Sequence, residues 1–144
     1  MYIAVDFDGT CVTHAYPEIG KDIGAVPILK RIVERGHKLI LLTMRSHPKN
    51  GQDSPNLKQQ GLTPIPKTRD TLNEAIEWFR NNGVELYAVN ENPSQYGWTN
   101  SKKVYANLYI DDAALGVPLK FDETGRGYVD WETVERVLEL YGII

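Results

Sequence analysis

Tyr2-Ile3-Ala4-Val5-Asp6-Phe7-Asp8-Gly9-Thr10 decides the fold. An apolar run that ends abruptly in two carboxylates and a glycine reads as a buried parallel strand followed by a sharp turn. Open α/β sheets bind ligands at the carboxyl edge of their strands. Residues i and i+2 of a strand point the same way, so Asp6 and Asp8 are expected to converge there, with Phe7 in the core between them. Two close carboxylates repel unless a cation sits between them or one is protonated. A hard divalent ion with oxygen ligands, most simply Mg2+, resolves this.

Working outward, Ala25, Ile28, Leu29, Ile32 and Val33 recur at helical spacing, which predicts a helix over 24–35 with Pro27 in its first turn and Gly36 just past its end. Leu39 to Leu42 form a second buried strand, giving a right-handed βαβ unit that brings Thr43 to the edge already holding Asp6 and Asp8. Thr71-Leu72-Asn73-Glu74 has the form of a capping box, and a helix should run from it to Gly83. A third strand is expected over Val84–Val89 and ends at Asn90; a fourth, Leu108–Ile110, ends in Asp111 and Asp112. Residues 119–130 read as a hairpin turning at Asp122-Glu123-Thr124-Gly125, and Asp130 is placed to cap a last helix.

Two connections stand apart. Residues 46–69 carry four prolines, two glycines and few large apolar side chains. A connection longer than about 15 residues without its own structure is usually functional or disordered, and this one leaves a strand that carries a site residue, so it reads as a lid or substrate loop. Residues 94–101, with Tyr96, Trp98 and Asn100, form a second loop. His14 and His47 read as solvated loop residues.

The chain is long enough for one domain with a real core. Hydrophobic residues make up 42% and charged residues 24%, which is ordinary for a soluble protein. A net charge of −3 argues against a dedicated binder of nucleic acid or anionic membrane. The lone cysteine, Cys11, forms no intrachain disulfide and fits a reducing compartment. With no signal peptide or membrane-spanning run apparent, a cytoplasmic location is expected.

Four strand ends thus deliver Asp6, Asp8, Thr43, Asn90, Asp111 and Asp112 to one edge, with Lys102 and Lys103 just before the fourth strand. Carboxylates for a cation, a hydroxyl and an ammonium are what phosphoryl transfer requires. The order Asp-Phe-Asp-Gly-Thr, then Leu-Leu-Thr, then a lysine, then Tyr-Ile-Asp-Asp resembles the four motifs of the haloacid dehalogenase (HAD) superfamily, spanning residues 6–112.

The resemblance implies a Rossmann-like three-layer sandwich around a central parallel sheet, a single HAD-like hydrolase domain over 1–144, and a Mg2+-dependent phosphatase; the intervals 11–42 and 44–102 leave no room for a large cap domain, so a capless or minimal-cap member is expected. It makes Asp6 the nucleophile that becomes an aspartyl phosphate and Asp8 the general acid and base. Thr43 holds a phosphoryl oxygen, and a lysine, Lys103 in preference to Lys102, fixes nucleophile and phosphoryl group. Asp6, Asp8 through its backbone carbonyl, Asp111 and Asp112 hold the metal. Asp8 also points to phosphotransfer rather than dehalogenation.

Arg45, Lys49, Asn90, Asn92 and Lys102 are candidates for contact with the substrate. That substrate is a phosphorylated small molecule or a macromolecular end, nucleic acid entering only as a phosphorylated end, with no membrane partner and a homo-oligomer compatible. Val104 and Asn107 depart from the usual residues around the lysine motif. The competing readings are a phosphate- and Mg2+-responsive switch, as in receiver domains, and an inactive binding module on the same fold.

Overall fold

A computed structural model describes residues 1–48 and 68–144. Most of the loop expected over 46–69, with Lys49, lies outside these residues. Strands β1 (Tyr2–Val5), β2 (Lys38–Leu41), β3 (Ala88–Val89) and β4 (Leu108–Ile110) form one sheet in the order β3-β2-β1-β4. Every pairing in it is parallel. Helices α1 (Ala25–Glu34) and α2 (Thr71–Asn81) make the crossovers that step from β1 to β2 to β3. The chain then returns to the other side of β1, so β1 flanks the point where strand order reverses, the place where such sheets bind ligands. A separate antiparallel ribbon, β5 (Leu119–Phe121) with β6 (Gly127–Val129), precedes α3 (Trp131–Leu140).

Side-chain alternation divides the sheet. Ile3, Val5, Leu39 and Leu41 join Leu29, Ile32, Phe79 and Leu138 of the three helices in one buried cluster. Ala4 and Ile40 are buried but lie outside that cluster. On their face Tyr2 packs against Tyr87 and Tyr105, with ring centroids 5.6 and 5.9 Å away. The cover on this side is the β3–β4 connection, whose regular structure is one 3-10 turn, Pro93–Gln95. Among the described residues, no helix is long and apolar enough to cross a membrane.

Two expected boundaries move. The third strand was expected from Val84, but only Ala88 and Val89 pair. Ile40 pairs with Ala88, so residues 84 and 85 run past the start of β2 and meet no partner strand. The cap of α2 is Asp70 rather than Thr71: Asp70 Oδ1 accepts from Asn73 N at 2.8 Å. Thr71 is buried and donates instead to Ser46 O at 3.1 Å, while Glu74 is drawn to Arg69. Helix α1 and the hairpin fall where the pattern predicts; Asp130 stands at the start of α3 as expected, but its side chain accepts from Thr133 Oγ1 rather than from a backbone N–H.

Candidate active site

The register of the sheet brings the acids together. Val5 pairs with Leu41 and Ile110, so the next residues, Asp6, Leu42 and Asp111, leave three adjacent strands at one level. Asp6 N donates to Ile110 O at 3.0 Å and Leu42 N to Val5 O at 2.9 Å. Asp6, Asp111 and Asp112 each contribute an oxygen to a group whose atoms all lie within 4.8 Å of one another. Among the described residues, no lysine or arginine pairs with Asp6 or Asp111. Burial raises the Asp6 carboxyl to about 7; the Phe7 backbone N–H opposes this, and Asp111, Asp112 and Asp8 add to it. Three converging carboxylates, one of them half-buried and costly to ionise, suit a hard divalent cation with oxygen ligands.

The loop beneath the acids is held from behind. Thr10, fully buried, accepts from Asp112 N at 3.0 Å and reaches Asp6 Oδ2 at 3.3 Å. Trp131 Nε1 donates to Thr10 O at 2.6 Å and Val129 N to Gly9 O at 2.8 Å, so β6 and α3 fix the turn after β1. Cys11 is buried with its thiol on Asp6 O at 3.2 Å, and burial pushes its pKa well up, which makes it a packing residue and not a nucleophile.

Asp8 is not part of the three-acid group. The strand ends at Val5 and the chain turns at Gly9 (φ +84°). The Asp8 side chain leaves the three-acid group and meets Arg45: Nε donates to Oδ2 at 2.7 Å and Nη2 to Oδ1 at 2.8 Å. The Asp8 carboxylate is thus engaged by Arg45, and the metal contact expected of Asp8 is the one through its backbone carbonyl. Arg45, expected on the substrate, is 2% exposed and also donates to Pro17 O, Glu18 O and Thr71 O. Its guanidinium carbon lies 5.0 Å from the Phe7 ring centroid and 5.3 Å from that of Tyr16, within reach of both ring faces. It is a positioning residue for Asp8.

His14 belongs to the site, although its sequence position reads as a solvated loop. Its Nε2 lies 2.9 Å from Asp112 Oδ2, with both side chains mostly shielded. The signal that could have found it is Gly9. A Cβ there would sit 2.2 Å from His14 Nε2 and 2.7 Å from Asp112 Oδ2. The glycine is thus required by what passes over it as well as by its φ. The same short loop that carries His14 to Asp112 carries Pro17 and Glu18 to Arg45, so it braces the acids on both sides.

At the end of β2, Thr43 Oγ1 accepts from Arg45 N at 3.2 Å, which leaves its own proton free to donate. Asn90, expected on the substrate, takes φ +54° and accepts from Thr43 N at 2.8 Å. It links the ends of β2 and β3. Neither lysine forms an ion pair with the four aspartates. Lys103 Nζ lies 5.8 Å from the Tyr109 ring centroid, whereas Lys102 lines a cavity together with Asn90. The other loop histidine, His47, is exposed and pairs with Asp70.

No family model and no curated protein matches the chain. Among solved structures it is similar to a conserved protein from Bacteroides thetaiotaomicron, with 34% identity over 98% of this chain and 91% of that one, and a TM-score of 0.68.

Proposed function

We propose that this chain, which belongs to the family of the Bacteroides thetaiotaomicron conserved protein, is a Mg2+-dependent phosphomonoesterase of the HAD type, working through an aspartyl phosphate on Asp6. The observation that carries the reading is the division of the four aspartates. Asp6, Asp111 and Asp112 form one oxygen cluster, and Asp8 is held beside it by Arg45.

Asp6, Asp111 and Asp112 would hold the ion, whose charge offsets that of the phosphate ester and of the acids themselves. The Asp6 carboxylate forms a bond to phosphorus as the ester P–O bond breaks. The leaving oxygen takes its proton from Asp8. Arg45 occupies one lone pair on each Asp8 oxygen, and a carboxyl has further lone pairs to carry that proton. In the second half, a water loses a proton to Asp8 and attacks the phosphoryl group, Asp6 is released as a carboxylate, and inorganic phosphate departs. The Thr43 hydroxyl is suited to donate to a phosphoryl oxygen. Of the two lysines, Lys102 is the one suited to the phosphoryl group, because it lines the same cavity as Asn90.

The test is release of phosphate from an aryl phosphate with and without Mg2+. Metal-dependent turnover is expected. A stable aspartyl phosphate without turnover would instead favour a phosphate-responsive switch, and no reaction at all with a metal-loaded protein would overturn the enzymatic reading.

A further inference from the structure

A cavity of about 560 Å³ lies between the end of β3 and the loop that leads to β4, with Asn90 in its wall. Asn90 ties it to the carboxyl edge of the sheet, where its Oδ1 accepts from Thr43 N at the end of β2.

Its wall is a built structure. Asn92 and Gln95 are 1% and 7% exposed, and both use their amides to hold the loop together. Asn92 Nδ2 donates to Tyr105 O at 2.7 Å and Asn92 Oδ1 accepts from Ser94 N at 3.0 Å. Gln95 Nε2 donates to Ser101 O and Lys103 O, and Gln95 Oε1 accepts from Tyr105 N. Buried side chains that fix a loop in this way preorganise whatever the loop presents.

What it presents is polar and close to neutral. Among the lining residues, Glu91 is the sole acid and Lys102 the sole base. Tyr96 Oη donates to Glu91 Oε2 at 2.5 Å, so the acid is already engaged. Asn90 and Asn100 add amides, and Val104 is the sole aliphatic residue. Tyr96 is 63% exposed. Its ring offers a flat apolar surface beside these groups. Sites for lipid or aryl groups are mostly apolar, which this lining is not. Neutral hydrogen-bonding groups beside one aromatic ring match a ligand with many hydroxyls and little charge.

We propose that this cavity is the leaving-group subsite and takes a hydroxyl-rich group, a sugar or polyol, esterified to the phosphate. The inference rests on the phosphomonoesterase reading. Acting through hydrogen bonds, the subsite would raise kcat/KM for hexose phosphates over aryl phosphates, because an aryl group leaves its amides unpaired.

The experiment compares glucose 6-phosphate with phenyl phosphate in two ways. In steady-state kinetics the wild type should favour the hexose phosphate by about 10²-fold. Tyr96→Ala and Asn100→Ala should each raise KM for glucose 6-phosphate about 10-fold, with a smaller rise for phenyl phosphate. Independently of turnover, the side-chain amide resonances of Asn90 and Asn100 should shift on titration with glucose 6-phosphate and much less with phenyl phosphate. Loss of all turnover with the amide shifts retained would sink the enzymatic reading and leave the subsite. Turnover of both esters with equal KM effects, or no selective amide shifts, would overturn the subsite.

Discussion

Arg45 grips Asp8 by both carboxylate oxygens, at 2.7 and 2.8 Å, from a position 37 residues further along the chain and almost wholly out of solvent. This pair keeps the Asp8 carboxylate apart from the group of Asp6, Asp111 and Asp112, and in the proposed mechanism it positions Asp8 as acid and base. Removing the arginine leaves a partly buried carboxylate without its forked donor and takes one donor from each of three backbone carbonyls, of which Pro17 O keeps its bond from Arg69 Nη2. Arg45→Ala should cost about 3 kcal/mol or more in denaturant unfolding. Arg45→Lys, which cannot make the forked contact, should recover part of the stability and little of the turnover.

His14 holds Asp112 as a ligand's outer partner holds a ligand. His14→Ala should weaken divalent-cation binding by about 10- to 100-fold, read from Mn2+ binding by paramagnetic resonance. His14→Gln, whose amide can donate to the same oxygen, should keep most of the affinity. Equal binding in the wild type and the alanine variant would remove His14 from the site.

The raised Asp6 carboxyl gives a pH dependence with a definite sign. In the metal-free protein the folded state holds this proton up to about 7, against an ordinary value of 3.8. Between those values the folded state binds more protons than the unfolded one, so this group lowers stability as pH rises from about 4 to 7 and changes nothing further above that. A cation competes with that proton. The rise in Tm on adding Mg2+ should therefore be small at pH 5.5, grow through pH 7 and level off above it, and in Asp6→Asn this pH dependence should vanish.

The two lysines are separable. Lys102→Ala should lower kcat/KM for a phosphate ester by roughly 10²-fold, as for loss of one charged donor to the phosphoryl group. Lys103→Ala, whose ammonium lies near the Tyr109 ring, should lose less than a tenth as much. The reverse order would return the role to Lys103.

What the sequence made legible was whatever periodicity or an abrupt change of polarity encodes. The apolar run into Asp6 and the one into Asp111 defined two strands and the edge they share, and the spacing of Ile28, Leu29 and Ile32 defined α1. The pairs that shape the site lie beyond such signals. His14 meets Asp112 across 98 residues and Arg45 meets Asp8 across 37, through loops whose course no local pattern specifies. Asn90 was legible as a polar strand end, but its bond to Thr43 follows from a left-handed backbone at a residue that is not glycine.

The central claim is that Asp6 carries the phosphoryl group. Its most direct test is acid-quenched trapping with a phosphate ester labelled on phosphorus, followed by mapping of the labelled peptide. The account predicts label on Asp6 in the wild type, none in Asp6→Asn, and, with an aryl ester whose leaving group departs without the Asp8 proton, accumulated label in Asp8→Asn, where the water is no longer deprotonated. Turnover with no covalent label, or label on any other residue, would contradict it.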